Sequence, residues 1–400
     1  MNQATIDFIR EHAEANVRQL ALQGTKNPEV DMPFALDQIA GRQKAKTKLP
    51  SWAAIDGIIY PSHLSMEQCS SEQTARYKAS IVGKGPLMVD LTAGFGVDMA
   101  FVSPNFQRAI HVEWQAPLCA ISLENFKLLG LDHINVVCAD GVEYLHQLDH
   151  ADLIYLDPAR RDNHGGRTYG IADCTPNVLE LRDELLQKAD RVMLKLSPML
   201  DWRKAVEDLG NVSEVHIVSV DNECKELLLV ISEKLIVNSD IKVVCVNLLS
   251  NGSKEAFEFP YRKSPISDTS PMTIHYSLFT IHFLFEPNAS IMKAGCFALL
   301  EQRFKVAQLE KNSHLFVSDK DIVDFPGRRF IIEKTTSLNK RELKSALTGI
   351  ECANITVRNF PMSVAELRKR LKLKEGGDLY LFATTIAGHQ HQLFLCRKVE

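Results

Sequence analysis

The alternation of apolar strands and helical segments between residues 86 and 232 is the feature that most constrains the fold of this chain. Five strand–helix units follow one another, and the first strand reads "PLMVDL". This order is typical of a parallel, doubly wound α/β sheet, because parallel strands need a crossover helix between them. The last two strands, "SEVHIVSVD" and "KELLLVIS", leave no room for such a helix. We therefore expect the sheet to close with an antiparallel hairpin.

The segments that flank this sheet follow other patterns. Residues 1–80 place apolar residues at helical spacing, which predicts an N-terminal helical region. Residues 236–324 mix strand-like and helix-like pieces, and residues 325–400 read as a compact β-α-β-α-β-β module. With the sheet domain at 81–235, the sequence predicts four parts.

Cysteine usage and hydropathy restrict the class of protein. The chain contains nine cysteines, an odd number, and none of them forms a C-x-x-C pair. This pattern favours reduced, structural thiols and no metal site. The N-terminus lacks the pattern of a signal peptide, and no apolar run reaches the roughly 20 residues that span a bilayer. We expect a soluble, cytoplasmic protein with no membrane partner.

Charge is distributed unevenly along the chain. The net charge is -4, yet residues 325–400 contain 14 Lys plus Arg against 7 Asp plus Glu. Such a basic tail indicates either a polyanionic partner or a solvated basic face. If the segment around 368–374 is one helix, Arg368 shares a face with Lys372, and Arg370 with Lys374. The candidate phosphate-binding residues are Arg358, Arg368, Lys369, Arg370, Lys372 and Lys374.

The first turn of the sheet, "VDLTAGFGVD", has the pattern of a ligand-binding turn. Asp90 lies near the end of the strand, and Gly94 and Gly96 allow a ligand to approach the backbone. A dinucleotide-binding turn would read G-x-G-x-x-G, whereas Met99 occupies the third glycine position here. A nicotinamide cofactor is therefore a poor fit.

Two further carboxylates follow the next two strands. Glu113 ends the second strand, where a carboxylate can accept hydrogen bonds from both hydroxyls of a ribose. Asp140 ends the third strand, where it can accept a hydrogen bond from an adenine amino group. Acidic residues are common at strand ends, but these two together, behind a glycine turn, predict an adenosine along the crevice of the sheet.

This constellation resembles the class I S-adenosylmethionine-dependent methyltransferases over residues 70–235. The resemblance implies a Rossmann-like sheet with an antiparallel last strand and S-adenosyl-L-methionine as cofactor. It also implies that Gly94 and Gly96 lie against the methionine and ribose and that Asp90 helps to hold the methionine ammonium. The predicted cofactor-binding residues are Asp90, Thr92, Ala93, Gly94, Phe95, Gly96, Glu113, Trp114, Asp140 and Gly141.

The fourth strand ends in "LDPARR", which resembles the (N/D)-P-P-(Y/F) motif of methyltransferases that act on exocyclic amines of bases. The resemblance implies that Asp157 and the carbonyl of Pro158 accept hydrogen bonds from the target amine. Ala159 replaces the second proline, and Arg160 replaces the aromatic residue. Arg160 could stack on a base or hold a phosphate. The alternative is that Arg160 and Arg161 only pair with nearby acids.

Motifs along the rest of the chain resemble the bacterial methyltransferases that carry a C-terminal THUMP-like domain. The matching stretches are "DPARR", "FLFEPNASIMKAG", "FPGRRF" and "RNFPMSVAELRKRLKLKEGGDLYLFATT". The resemblance implies a ferredoxin-like domain over 236–324 and a THUMP-like, RNA-binding domain over 325–400.

The sequence thus predicts an S-adenosylmethionine-dependent methyltransferase that modifies an exocyclic amine of a base in structured RNA, a tRNA or an rRNA. Two alternatives stay open: a methyltransferase for a protein or small molecule, and a non-catalytic RNA-binding protein that contains the cofactor. A nicotinamide oxidoreductase is disfavoured by Met99 and by the closing hairpin.

Overall fold

The computed structural model describes residues 2–160, 170–233, 240–262, 281–386 and 388–399, with the backbone alone at Arg160. The segment before the sheet is helical. Its helices are α1 (Gln3–Glu11), α2 (Val17–Gln23), α3 (Met32–Lys48), α4 (Pro50–Ala53), α5 (His63–Gln68) and α6 (Glu72–Ile81). The first three begin where they do because the side chains of Asn2, Asn16 and Asp31 accept hydrogen bonds from first-turn amides.

The sheet region, residues 81–235, contains every strand and helix that the sequence predicts, and the structure adds two short strands after the fourth strand. In chain order its elements are β1 (Gly85–Asp90), α7 (Val97–Val102), β2 (Phe106–Glu113), α8 (Ala116–Leu128), β3 (Ile134–Cys138), α9 (Gly141–Gln147), β4 (Ala151–Leu156), β5 (Ala159–Arg160), β6 (Cys174–Thr175), α10 (Val178–Lys188), β7 (Ala189–Leu196), α11 (Trp202–Leu209), β8 (Val212–Val220) and β9 (Glu223–Ile231). The short strands β5 and β6 pair only with each other.

The order of the strands places a crevice at the middle of the sheet. Strands β3, β2, β1, β4 and β7 are neighbours in that order, and all of them are parallel. The chain passes from β1 to β2 and β3 on one side and then returns to β4 and β7 on the other. Such a reversal opens a ligand crevice beyond the carboxyl ends of β1 and β4.

The last strand is antiparallel, as expected. Strand β9 lies between β7 and β8 and runs antiparallel to β7. The turn from β8 to β9 contains Asp221 and Asn222, whose φ angles are 46° and 66°. Positive φ at both central residues is the geometry of a tight two-residue hairpin turn, and Asp and Asn tolerate it better than most residues.

The N-terminal helices share a core with the glycine turn of the sheet. Trp52 is 2% exposed and packs edge-to-face on Phe95, with the ring centroids 5.2 Å apart. Gly41 allows α3 to pack closely against Tyr60, because a Cβ atom at position 41 would lie 2.3 Å from the Cβ of Tyr60. The helical region is therefore packed on the part of the sheet that carries the turn.

The chain divides into two compact units. The first contains residues 1–216 and 225–242, and the second contains 217–224 and 243–400. The remaining elements are β10 (Ile241–Leu248), β11 (Lys254–Tyr261), β12 (Phe283–Pro287), α12 (Ala289–Ala294), α13 (Phe297–Phe304), β13 (Ala307–Gln308), β14 (Phe316–Ser318), β15 (Gly327–Thr336), α14 (Lys340–Ala346), β16 (Asn354–Arg358), α15 (Val364–Leu371), β17 (Leu379–Ile386) and β18 (Gln390–Lys398).

The second unit contains a seven-stranded sheet in the order β13-β14-β12-β15-β18-β17-β16. Strands β16 and β17 are parallel and joined through α15, whereas β17 and β18 form an antiparallel pair. Phe330, Phe382 and Phe394 are fully buried in its core. The division of the whole chain into four domains stays a prediction. None of the helices in the described residues is both long and apolar enough to cross a membrane.

Candidate active site

Polar side chains form a row along the carboxyl edge of the parallel sheet. Asp140, Glu113, Asp90, Asp157 and Lys195 lie at or beside the ends of β3, β2, β1, β4 and β7. Neighbouring strands are about 4.8 Å apart, so the row extends over roughly 19 Å. All five residues line one cavity of about 680 Å³. This volume suits a cofactor together with part of a substrate.

The two glycines of the first turn are required for different reasons. Both have positive φ, 56° at Gly94 and 83° at Gly96. A Cβ atom at Gly96 would lie 2.7 Å from Cζ of Phe126, so packing also excludes a side chain there. At Gly94 the nearest atom would be the carbonyl oxygen of Thr92 at 4.0 Å. Open space above Gly94 leaves its backbone accessible to a ligand.

Glu113 is tied into the glycine turn. Its carboxylate is 5% exposed and accepts hydrogen bonds from the amides of Gly94, at 2.9 Å, and Gln115, at 2.7 Å. Each carboxylate oxygen can accept a second hydrogen bond. Trp114, which follows it, also lines the cavity and is 72% exposed.

Asp140 caps the helix that follows β3. Its Oδ1 atom accepts hydrogen bonds from the amides of Val142, at 2.8 Å, and Glu143, at 3.1 Å. Its Oδ2 atom has no hydrogen-bond partner among the described residues. Gly141 permits a close approach, because a Cβ atom there would lie 2.0 Å from the carbonyl oxygen of Leu91.

Asp90 is the most deeply buried acid of the row, at 1% exposure. Burial raises its pKa well above the ordinary value, and the nearby carboxylates of Asp98 and Asp157 raise it further. Its Oδ1 atom accepts a hydrogen bond from the amide of Thr92 at 3.0 Å. A cation placed against Asp90 would favour its ionised form.

Asp157 is paired with a lysine that sequence reasoning did not identify. Its Oδ2 atom accepts a hydrogen bond from Nζ of Lys195, and its amide donates to Oγ1 of Thr92 at 2.6 Å. Burial raises the pKa of Asp157, and Lys195 opposes that shift. The available signal was a single lysine inside the apolar strand sequence "RVMLKLS".

A buried ionic network lies beside this pair. The ammonium group of Lys78 is fully buried and contacts Asp98 Oδ1 at 3.0 Å and Glu226 Oε2 at 2.6 Å. The hydroxyls of Ser70 and Tyr155 each donate to Asp98 Oδ2 at 2.7 Å. Burial alone would raise the pKa of Asp98, but the nearby ammonium groups outweigh it and lower that pKa. The network fixes one wall of the cavity, because Ser70, Asp98 and Tyr155 all line it.

After Asp157, the structure describes Pro158, Ala159 and the backbone of Arg160. Pro158 is buried and is not among the residues that line the cavity. Ala159 pairs with Thr175, and the backbone of Arg160 pairs with Cys174. The predicted role of the Arg160 side chain lies outside the described atoms, and Arg161 lies outside the described residues.

In the C-terminal module, Lys369, Arg370, Lys372 and Lys374 are exposed and Arg368 is half-buried. The predicted helical stripe is wrong at one end: α15 ends at Leu371, and Lys372 caps it in a left-handed conformation with φ of 57°. Lys372 and Lys374 therefore do not continue the helical face.

Arg358 differs from the other predicted phosphate-binding residues. Its side chain is 35% exposed, and it donates a hydrogen bond to Oε1 of the buried Glu286 at 3.0 Å. Glu286 also binds Arg328. Arg358 is thus partly committed to an ion pair with a residue of β12, which precedes the C-terminal module in the chain.

The fold and the site define a class I methyltransferase of the Rossmann-like type. Family models match the C-terminal part of the chain: one described as a ferredoxin-like domain matches residues 283–326, and one described as THUMP domain-like matches residues 327–398. The crystal structure of a candidate methyltransferase from Porphyromonas gingivalis W83 is 32% identical, with a TM-score of 0.86, and the match covers 99% of this chain and 98% of that chain. The chain therefore belongs to the family of S-adenosylmethionine-dependent methyltransferases with a C-terminal THUMP-like domain, as the sequence resemblance implied.

Two other solved structures match less than half of this chain. An rRNA methylase from Streptococcus thermophilus is 14% identical, over 40% of this chain and 92% of that chain, with a TM-score of 0.29. TrmK from M. capricolum, in complex with S-adenosyl-homocysteine, is 15% identical, over 41% and 71%, with a TM-score of 0.30. Likeness at this level says nothing about the substrate of this chain. Comparison with curated proteins finds no match.

Proposed function

We propose that this chain binds S-adenosyl-L-methionine in the cavity and methylates an exocyclic amine of a base in structured RNA, such as a tRNA or an rRNA. The observation that carries this proposal is the row of acceptor side chains on neighbouring strands, which faces one cavity together with the glycine turn.

The residues of the cavity fit an adenosine-containing cofactor. Glu113 retains acceptor capacity for ribose hydroxyls, and Oδ2 of Asp140 is available to an adenine amine. The space above Gly94 admits a ligand, and Asp90 would take its ionised form against an ammonium group. The cofactor, when bound, would supply a methyl group carried on a sulfonium.

Asp157 is the residue that would orient the target. Its Oδ1 atom has no partner among the described residues, so it can accept a hydrogen bond from an N–H of the amine. That bond would turn the nitrogen lone pair towards the methyl group. In the transfer a nitrogen–carbon bond would form as the sulfur–carbon bond breaks, the cofactor would leave as a neutral thioether, and the nitrogen would lose one proton to solvent. Such a displacement depends chiefly on proximity and alignment.

The C-terminal module would hold the RNA backbone. Its exposed cations, Lys369, Arg370, Lys372 and Lys374, can contact phosphates. The match of the THUMP domain-like family model to residues 327–398 supports this assignment. Phosphate contacts position an RNA, whereas the base that enters the cavity would decide specificity.

The test is transfer of a labelled methyl group from S-adenosyl-L-methionine to RNA from cells that lack the gene, followed by nucleoside analysis. We expect label on a base amine. Asp157→Ala, which removes the acceptor, should lower transfer about a hundredfold, since misalignment is costly, while affinity for S-adenosyl-homocysteine changes less than about twofold. Asp183→Ala is the matched control, because Asp183 is 75% exposed and, among the described residues, pairs only with its neighbour Arg182. Label in protein or small molecules, with none in RNA, would refute the proposal.

A further inference from the structure

Lys195 is the one cation among the described residues that line the cavity. Its side chain is 11% exposed, and its charge is compensated by Asp157. Burial alone would lower its pKa, but Asp157, Asp98 and Glu226 outweigh burial and raise it, so the group stays an ammonium. An ammonium balanced by so many carboxylates is a poor site for a phosphate.

The position of Lys195 places it at the target end of the row. Strand β7 lies beyond β4, on the side away from β2 and β3. Under the proposed function Glu113 and Asp140 hold the adenosine at the opposite end. Lys195 and Asp157 are therefore left for the group that receives the methyl.

The surroundings of this end can form further hydrogen bonds. Ser65 and Gln68, from the N-terminal helical region, and Asn177 and Glu180, at the start of α10, line the same cavity. Ser65 and Gln68 lie close in sequence to Ser70, whose hydroxyl is bonded to Asp98 beside the pair. Asn177 follows Thr175, which pairs with Ala159 just beyond Asp157. These four side chains supply two amides, a hydroxyl and a carboxylate. They can donate and accept hydrogen bonds, which suits an uncharged polar group of a substrate.

The pair itself has unused hydrogen-bonding capacity. An ammonium carries three N–H groups, and Lys195 uses one of them, on Oδ2 of Asp157, among the described residues. Oδ1 of Asp157 has no donor there. The side chain of Lys195 is 11% exposed and that of Asp157 is 38% exposed, so the free donors and the adjacent acceptor are open to a ligand or to water in the cavity.

We propose that Lys195 and Asp157 together form the target subsite, which takes the edge of a nucleobase where an amine lies beside an acceptor atom, as in adenine or cytosine. Asp157 accepts a hydrogen bond from the amine, and Lys195 donates to the neighbouring ring nitrogen. Lys195 also keeps Asp157 in the form that accepts. This inference rests on the proposed function and adds Lys195 to it.

The experiment compares Lys195→Met, which keeps the length but loses the donors, with Lys195→Arg, which keeps charge and donors. The control is Lys127→Met, since Lys127 pairs with Glu124 at an exposed site. Loss of a hydrogen bond from a charged donor corresponds to roughly a ten- to hundredfold effect. In Lys195→Met we therefore expect KM for RNA to rise by this factor, and in Lys195→Arg we expect a smaller rise. Both variants should bind S-adenosyl-homocysteine with an affinity within about twofold of the wild type.

The pH profile separates this role from a structural one. Without Lys195 the pKa of Asp157 rises, because the group that most strongly opposes the effect of burial is removed. The acid limb of kcat/KM should therefore move to higher pH in Lys195→Met and stay in place in Lys127→Met. An unchanged KM and acid limb would overturn the inference, and so would label on a ribose oxygen.

A measurement without substrate distinguishes the two proposals. Carbon-13 labelling of aspartate, with Asp157 assigned by Asp157→Asn, follows the titration of this carboxyl in wild type and Lys195→Met. If the wild type transfers no methyl group to RNA, the proposed function fails. If the titration of Asp157 is the same in Lys195→Met as in the wild type, Lys195 does not control the protonation of Asp157, whatever the outcome of the transfer assay. If Lys195→Met does not fold, the double variant with Asp157→Ala leaves no unpaired charge. It should bind S-adenosyl-homocysteine and transfer no methyl, and retained transfer would overturn the inference.

Discussion

Replacing Lys78 by Met should destabilise the first compact unit strongly. The substitution nearly preserves volume, but it removes the cation that contacts both Asp98 and Glu226. Both acids lie in the protein interior, with side-chain exposures of 10% and 5%. Breaking a buried ion pair by removing one partner costs about 3–5 kcal/mol, chiefly because a buried charge is left uncompensated.

The pH dependence of that loss follows from Asp98. In the folded wild type the pKa of Asp98 is lowered below its unfolded value of about 3.9. Ionised Asp98 therefore stabilises the folded state above about pH 3.9, and this stabilisation is lost as pH falls through the folded pKa. Without Lys78 burial dominates and the folded pKa rises. The variant then binds more protons folded than unfolded, so its stability falls as pH rises between the two values. The deficit relative to wild type should be smaller at pH 5 than at pH 8.

Urea unfolding of wild type, Lys78→Met and Lys127→Met at several pH values measures this effect. Lys127→Met should change the free energy of unfolding by less than about 1 kcal/mol, because exposed ion pairs contribute little. A loss below about 1 kcal/mol in Lys78→Met, or a deficit that does not change with pH, would refute the reasoning that the network is a compensated buried charge cluster.

The remaining predictions concern the cofactor and the RNA. Gly94→Val should abolish S-adenosyl-homocysteine binding in calorimetry, whereas Gly130→Val, with similar positive φ (68°) and open space, should bind normally. Glu113→Ala should weaken that binding roughly ten- to a hundredfold, and an unchanged affinity would remove Glu113 from the site. Reversing the charges of Lys369, Arg370 and Lys372 should weaken RNA binding whatever the sequence and flatten its salt dependence by about 0.7–0.9 in log–log slope for each lost phosphate contact. Salt titrations check this, and an unchanged slope would mean that these cations are only solvated.

Local patterns were sufficient for the strands and helices of the sheet region and for its closing hairpin. The spacing of apolar residues marks each strand, and the short gap between β8 and β9 requires a hairpin, since two residues cannot hold a crossover helix. The residues that follow strand ends were equally accessible. Asp140 and Asp157 come directly after apolar strands, and parallel strands end at one edge, so their meeting in one cavity follows from sequence.

Sequence reasoning was less successful where the result depends on backbone geometry at a single residue. The basic run after Ser363 reads as one continuous helix, yet Lys372 adopts a left-handed conformation and ends it. Nothing in the residue type requires this, because lysine has no preference for the left-handed conformation.

The sequence by itself determined the parallel sheet, its antiparallel last strand, the glycine turn and the acids at the strand ends, because each depends on neighbours in the chain. Only the tertiary structure decided which charges meet. Lys195 reaches Asp157 because β7 lies beside β4, and Lys78 reaches Glu226 although 148 positions separate them. Burying a lysine is costly unless a carboxylate is within reach. Whether one is within reach depends on the packing of distant segments, which no local pattern in the sequence records.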